Sequence, residues 1–345
     1  MAMADVTVMG AGIFGLSVAW ACQSRGAKVR VIDPGGAGAG ASGGIVGALA
    51  PHVPENWNDK KQFQFESLLM AEGFWAAVEA TGGISAGYAR LGRLQPIADD
   101  AALALAHARA GTSVDLWRGL ATWSIERSDA FDWSPVSPTG KLVYDTLSAR
   151  VHPRRACRAL AAALRARGGE VDTAGASEGD VVWATGVAGL QELSAHPAGA
   201  PDYAVKGQGA LLHFDARDMP QLFADTLHII PHADGTVAIG STSERAFDDP
   251  DSTDALLDDV IERAMRVVPV LHGARVVERW AGLRPRSRSR APMLGAHPLH
   301  AGQFIANGGF KIGFGMAPRV GEVMADLVLE NIDNIPQGFR PEASQ

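Results

Sequence analysis

Cysteine is almost missing from this chain: its 345 residues include Cys22 and Cys157 and no others. Two cysteines exclude a disulfide scaffold and a zinc ribbon, and together they predict a reducing, cytoplasmic compartment. An excess of positive charge is also missing. The 31 lysines and arginines are outnumbered by 38 aspartates and glutamates, for a net charge of −7. Such a chain has no overall electrostatic pull toward DNA, RNA or anionic lipid, which leaves only local basic patches. Long hydrophobic runs are missing as well. The nearest candidate, Val6–Trp20, is broken by Gly10, Gly12 and Gly15 and has no basic segment before it. It falls short of the roughly 20 apolar residues of a membrane span, so neither a span nor a leader is expected. No internal repeat stands out.

What is present begins with a core. Hydrophobic residues make up 47% of the chain. Its length exceeds one ordinary core of about 150 residues, so roughly two domains are expected. Forty glycines without a Gly-X-Y period mark places where backbone turns tightly or approaches something closely. The N-terminus alternates strand and helix: Val6–Met9 reads as strand, Leu16–Arg25 as helix stopped by Gly26, and Val29–Ile32 as a second strand ending at Asp33. This is the βαβ opening of a doubly wound, Rossmann-like sheet. Helical patterns recur at about 63–81, 101–111, 151–167, 254–268 and 319–330, with strand patterns at 170–173, 181–184, 206–245, 274–284 and 299–306. Residues 85–145 mix short strands and turns and read as part of a second domain inserted into the first.

Gly10-x-Gly12-x-x-Gly15 sits between the first strand and the first helix. Its first glycine permits the tight turn, the second lets backbone N–H groups reach a pyrophosphate, and the third allows close helix–strand packing. The positive end of the helix then faces the phosphates. Asp33 lies 18 residues beyond Gly15, close to the spacing of about 20 of a ribose-binding carboxylate. An acid there disfavours NADP, whose 2′-phosphate it would repel. A simple NAD domain would continue with another βα unit, but here a glycine- and alanine-rich loop carrying Ser42 runs on to Pro51. Such a loop can wrap FAD, and the strand-and-turn Val181–Gly186 fits a sheet closing over the same nucleotide.

With these pieces the chain resembles the D-amino-acid-oxidase family of flavoproteins, most nearly its glycine and sarcosine oxidases. The matching segments run nearly end to end: Gly10–Gly15, Ala41–Pro51, Val182–Gly186, Lys206-Gly207-Gln208, Ile229-Ile230-Pro231, Trp280-Ala281-Gly282-Leu283-Arg284-Pro285, Gly309-Phe310-Lys311 and Ala317-Pro318. The resemblance implies an α/β (α+β overall) protein. Residues 1–84, 146–204 and 293–345 would form a Rossmann-like FAD-binding domain, and 85–145 with 205–292 an interleaved, mainly antiparallel β substrate domain. Cofactor contacts are implied at Gly10, Gly12, Ile13, Phe14, Gly15 and Asp33, then at Ala41, Ser42, Gly43, Gly47, Ala48 and Leu49. Further ones are implied at Ala184, Thr185 and Gly186, and at Arg284, Gly308, Gly309, Phe310, Lys311 and Ile312.

The implied reaction is oxidation of the C–N bond of a small amine or amino acid, with hydride passing to flavin N5 and the imine then hydrolysed. The cofactor carries that chemistry, which accounts for the absence of a Ser/His/Asp or paired-carboxylate constellation. Arg284 is expected to grip the substrate carboxylate, since its planar fork suits that group. Lys311 stands where the family places a second cation, and would assist Arg284 or face the flavin edge. Arg284, Arg286, Arg288 and Arg290 alternate and would share one face of an extended segment. Pro318 is expected in the first turn of the last helix, whose start would direct N–H groups toward the flavin.

Some positions depart from the family. His228 replaces a carboxylate-holding tyrosine, which leaves the substrate open. Ala238 replaces a lysine associated with oxygen reactivity in sarcosine oxidases, which leaves oxidase or dehydrogenase open. The covalent-flavin position aligns near Gly282, so FAD is expected to bind non-covalently, with Cys22 and Cys157 as core residues of helices. His52 follows the Ser42 loop, within reach of flavin or substrate. No metal is expected. The partners are then a small amine or amino acid with O2 or another electron acceptor, with homo-oligomerisation open. The alternatives are a flavoprotein dehydrogenase subunit serving a partner or quinone, and a tRNA-modifying flavoenzyme using the arginine run.

Overall fold

The computed structural model describes residues 3–194 and 203–344; residues 195–202, at the end of the 146–204 piece, lie outside the described residues. Val6, Thr7 and Val8 are wholly buried, as expected of a central strand covered on both faces. This is β1 (Val6–Met9), followed by α1 (Ile13–Ser24) and β2 (Val29–Ile32). The loop after β2 leads through the short β3 (Ala48–Leu49) into the long α2 (Asp59–Gly82). Asn58 caps α2 by accepting the Lys61 N–H at 3.1 Å, and Gly83 ends it in the left-handed region.

Next come β4 (Arg93–Pro96), α3 (Asp100–Leu116), β5 (Trp123–Arg127), β6 (Lys141–Asp145) and β7 (Ala149–Arg150). After α4 (Pro153–Ala166), β8 (Glu170–Asp172) and β9 (Asp180–Trp183), helix α5 (Gly186–Ser194) closes this stretch. The chain then builds β10 (Ala204–His213), β11 (Gln221–Ala224), β12 (Leu227–Pro231), β13 (Thr236–Gly240), α6 (Ala255–Val267) and β14 (Arg275–Pro285). It ends with β15 (Met293–Ala296), β16 (Phe304–Asn307) and α7 (Gly313–Glu330), apart from short 3-10 turns.

Two main sheets result. A six-stranded sheet has the order β15-β16-β9-β1-β2-β8 and is parallel except for β15, which pairs antiparallel with β16. An eight-stranded sheet has the order β14-β10-β13-β12-β11-β4-β6-β5 and is antiparallel except at β11·β4. The 93–145 strands therefore join the 204–285 strands in one sheet. Helices α1, α2, α4 and α7 pack together beside the parallel sheet. Their crossings are close because glycines meet backbone there: a Cβ on Gly321 would stand 2.6 Å from the Ser17 carbonyl oxygen, and one on Gly82 2.8 Å from the Ala163 nitrogen. The buried Thr7 hydroxyl donates to the Glu178 carbonyl at 2.6 Å and accepts the Glu178 N–H at 2.9 Å, so the β8–β9 connection is tied to the central strand.

Two expectations about local structure need correction. The last helix begins at Gly313 rather than Arg319, so Pro318 lies inside it and not in its first turn. Packing of Met316, Ala317 and Val320 in the core carries the helix through its glycines and proline, where propensity alone would start it later. The four arginines do not share a strand face, because β14 ends at Pro285 and Arg288–Arg290 form a turn with Arg290 at φ 57°. No basic stripe results from that run.

Gly47 shows how tightly the pieces are joined. Its carbonyl accepts the Val151 N–H at 3.0 Å, and a Cβ there would fall 1.8 Å from the Val151 carbonyl oxygen. Gly47→Ala is therefore expected to push the β3 loop away from the β7–α4 junction and cost about 1–3 kcal/mol, the range of an overpacked core. Thermal unfolding would show it as a lowered midpoint.

Candidate active site

The ends of β1, β2 and β9 open onto a cleft of about 970 Å³ that reaches the face of the eight-stranded sheet. At its parallel-sheet end, Gly10 turns at φ +110°, and a Cβ there would stand 2.4 Å from the Ala184 carbonyl oxygen. A Cβ on Gly15 would stand 2.0 Å from the Gly10 carbonyl oxygen, so α1 can approach the turn only because that atom is missing. Asp33 accepts the Ala11 N–H at 2.7 Å and the Gly35 N–H at 2.9 Å, which anchors its carboxylate at the cleft wall. Ser42 Oγ accepts the Ile13 N–H at 2.9 Å and so draws the glycine-rich loop onto the start of α1. The bare turn, the helix N-terminus and the acid fit the pyrophosphate and ribose of a dinucleotide.

At the other end the strand register builds the floor. Trp280, Gly209, Gly240, His228 and Phe223 form one row across β14, β10, β13, β12 and β11. Two residues on from Trp280 and again from Gly282, alternation puts Arg284 on the same face. A Cβ on Gly207 would lie 1.8 Å from Arg284 Nη2, so the guanidinium lies directly over that glycine. It donates to the Ser241 hydroxyl at 2.7 Å and to the Lys206 and Thr242 carbonyls at 3.3 Å each. Among the described residues it has no carboxylate partner. Burial lowers its pKa to about 10, against the opposing pull of Glu244.

Lys311 reaches into the same cleft from the start of α7, its Nζ 5.7 Å from the Phe310 ring centroid. Desolvation, then Arg284 and Arg290, hold its ammonium below the usual lysine value. His228 Nδ1 is buried with no hydrogen-bond partner. Burial, with Arg93, Lys311 and Arg284 nearby, lowers the His228 pKa to about 3, so the ring is neutral. His52 is held by Gln64, whose Oε1 contacts both its Nδ1 and its backbone N–H. Burial lowers the His52 pKa as well.

A family model described as DAO, FAD dependent oxidoreductase, matches residues 5–327. The chain belongs to that family. Relatives include the glycine oxidase of Pseudomonas putida, 29% identical with 94% of each chain covered. Among solved structures, the glycine oxidase of Geobacillus kaustophilus superposes with a TM-score of 0.82 at 22% identity over 98% of each chain. Iminodiacetate oxidase from Chelativorans sp. BNC1 gives 0.83 at 21% identity over 97% of this chain and 98% of its own. The protein is thus an FAD-dependent oxidoreductase of that family.

In this DAO-family chain the cleft brings together Gly12, Ile13, Phe14, Asp33, Ala41, Ser42 and Ala48 with Ala184, Thr185, Gly186, Gly309, Phe310 and Ile312. Arg284, Lys311, His228 and His52 line the same cleft. Gly10, Gly15, Gly43, Gly47, Leu49 and Gly308 do not line it. Gly43 packs on the Gly38 carbonyl, Leu49 is wholly buried in the core, and Gly308 turns at φ +73° against Ser287. Their glycines serve backbone crossings behind the wall. Ala238 is wholly buried with Ile45, Leu211 and Ile230 and does not face the cleft.

Both cysteines are buried helix residues outside the cleft, and burial pushes each thiol up to about 12. Among the described residues no His/Cys/Asp/Glu group could hold a metal, and no helix is long and apolar enough to cross a membrane.

Sequence reasoning missed Gln64, Arg93, Ser241 and Trp280, all on the cleft wall. Trp280 had a readable signal, its period-two alternation with Gly282 and Arg284. The other three are polar residues on elements that only the fold brings together.

The buried neutral histidines have a consequence for stability. His228 at about 3 and His232 at about 4 cannot take up the protons that an unfolded chain binds near 6.5. Their contribution is complete above pH 6.5 and is lost as pH falls toward 4. The unfolding midpoint is expected to drop between pH 7.5 and 5, and to drop less in His228→Gln. An equal drop in both would remove His228 from this account.

Proposed function

We propose that this flavoenzyme oxidises the C–N bond of a small amino acid or secondary amine to an imine, which water then hydrolyses. The observation that carries this reading is a half-buried guanidinium on the cleft floor, with neutral acceptors and no carboxylate partner among the described residues. A charge withdrawn from water without a paired carboxylate is costly. A substrate carboxylate supplies the missing counterion and takes the planar fork in a fixed orientation. Lys311 adds positive charge from the segment joined to the end of β14 by the Phe310 N–H to Pro285 carbonyl bond, and the neutral His228 ring offers a partner without a charge of its own. When bound, non-covalent FAD supplies what these side chains lack, acceptance of the Cα hydride.

The residues given to FAD in this reading are the cleft-lining ones from Gly12 to Ala48, 184–186 and 309–312. The α7 N-terminus, with Gly313 and Gly315 on the cleft wall, would direct its N–H groups at the flavin edge. The division into an FAD-binding unit (1–84, 146–204, 293–345) and a substrate unit (85–145, 205–292) follows the two sheets. The same reading places the protein in the cytoplasm, with O2 or another acceptor reoxidising the flavin.

Anaerobic mixing of the holoprotein with glycine, sarcosine, and D- and L-amino acids should bleach the flavin absorbance for at least one of them. Bleaching by none would end the amino-acid reading. Arg284→Ala should raise KM for the active substrate about tenfold or more while FAD stays bound, the effect of losing a charge-assisted bidentate contact. Unchanged kinetics would show that the carboxylate binds elsewhere. Peroxide formed in air, as opposed to turnover only with a dye, decides between oxygen and another acceptor.

A further inference from the structure

A second guanidinium lines the cleft. Arg93 is 5% exposed and pairs directly with Asp145 across the β4·β6 register. Its Nε donates to Asp145 Oδ2 at 2.9 Å. Asp145 in turn accepts the Ser148 N–H at 2.8 Å, so this pair is locked in the sheet. The two Nη groups have no hydrogen-bond partner among the described residues, and Arg93 lies on the cleft wall. One edge of the fork is thus used for anchoring while the outer Nη groups remain for a ligand.

The register shows what lies between the two arginines. Arg93 pairs with Gln221, and Phe223 lies two residues further along β11 on the same face. Phe223 pairs with His228, and the two rings lie 4.8 Å apart between centroids. Arg93 also sits 6.0 Å from the Phe223 ring. The floor therefore runs from Arg284, past bare glycine backbone, over His228 and Phe223 to Arg93. Five strand spacings separate β14 from β4. At about 4.8 Å each, β14 and β4 lie about 24 Å apart across the strands, and the reach of both side chains shortens the gap between the two guanidinium groups.

We infer that Arg93 is a second acid-binding subsite, and that the preferred substrate is an amine or amino acid carrying one carboxylate for Arg284 and another acid group on an extended arm for Arg93. This rests on the amine-oxidation reading above for the first carboxylate. The arm crosses the His228 and Phe223 rings, so it is largely methylene. Glycine and sarcosine fill the Arg284 end and leave the Arg93 fork without a partner. Asp145 balances the Arg93 charge, so its outer Nη groups serve the second acid group as hydrogen-bond donors, while Arg284 and Lys311, without a carboxylate partner among the described residues, supply the net positive charge of the cleft.

The test uses the holoenzyme and a series of N-(ω-carboxyalkyl)glycines with one to five methylenes, alongside sarcosine. At least one member should exceed sarcosine tenfold or more in kcat/KM, with an optimum arm length within the series. Arg93→Gln should collapse that ratio toward one, mainly through KM. The double variant R93Q/D145N should do the same without leaving Asp145 buried and unpaired. Binding supplies an independent readout: perturbation of the flavin spectrum should give a Kd for unreactive dicarboxylates of matching length at least tenfold below that for acetate.

Sarcosine equal to or better than every dicarboxylate would overturn the subsite. So would an Arg93 variant that lowers all substrates by the same factor. If no amine bleaches the flavin, the oxidation reading fails on its own, and the comparison of dicarboxylate with acetate still decides Arg93.

Discussion

A guanidinium lying over a glycine is the constraint on which the cleft depends. Arg284 can lie flat on the sheet only because Gly207 has no side chain to lift it. Its three protein partners are two carbonyls and a hydroxyl, all neutral. They satisfy N–H donors but none is a carboxylate, and withdrawing such a charge from water is costly. In the reading proposed above, an anion completes the site. Behind it, Gln208, Glu244 and Asp254 form a hydrogen-bonded cluster with the buried Lys206 close by, so the strand beneath Arg284 is held by more than its ladder.

The same device recurs at the nucleotide end. Gly10 and Gly15 leave room for a carbonyl that a methyl group would strike, and this brings α1 close enough to the turn for its N-terminus to face the cleft. Ser42 and Asp33 then use side-chain oxygens to fasten loop and turn to that helix start. At both ends a missing side chain lets other groups pack directly on backbone, and the few polar groups nearby are aimed and anchored. The cleft lies where two sheets of different construction meet, with the glycine turn at the end of one and Arg284 on the face of the other.

Much of this was legible in the residues. The βαβ opening, the spacing from Gly15 to Asp33 and the Trp280–Pro285 motif are local patterns, and local patterns survive folding. The strand near 181–184 could be read because a buried parallel strand is apolar without a break, and Val29–Ile32 from the β-branched residues on both sides of Arg30. The start of the last helix was not readable. Gly313, Gly315 and Pro318 oppose helix locally, and the helix exists there because core packing overrides propensity. The arginine run failed in the opposite direction: alternation implies a strand only while the strand lasts, and β14 stops at Pro285.

By itself the sequence carried the residue types on offer: a glycine-rich turn with an acid at dinucleotide spacing, an arginine suited to a carboxylate, and a second cation near it. These depend on residue type and short spacing, which the chain carries directly. Only the tertiary structure decided which glycines face the cleft and which serve crossings behind it, that His228 is neutral, and that Arg93 shares a floor with Arg284. Those facts depend on strand order and register between segments far apart in the chain. Arg93 meets Gln221 and Asp145 through pairings across 128 and 52 positions of sequence, and no short-range pattern records a pairing of that kind.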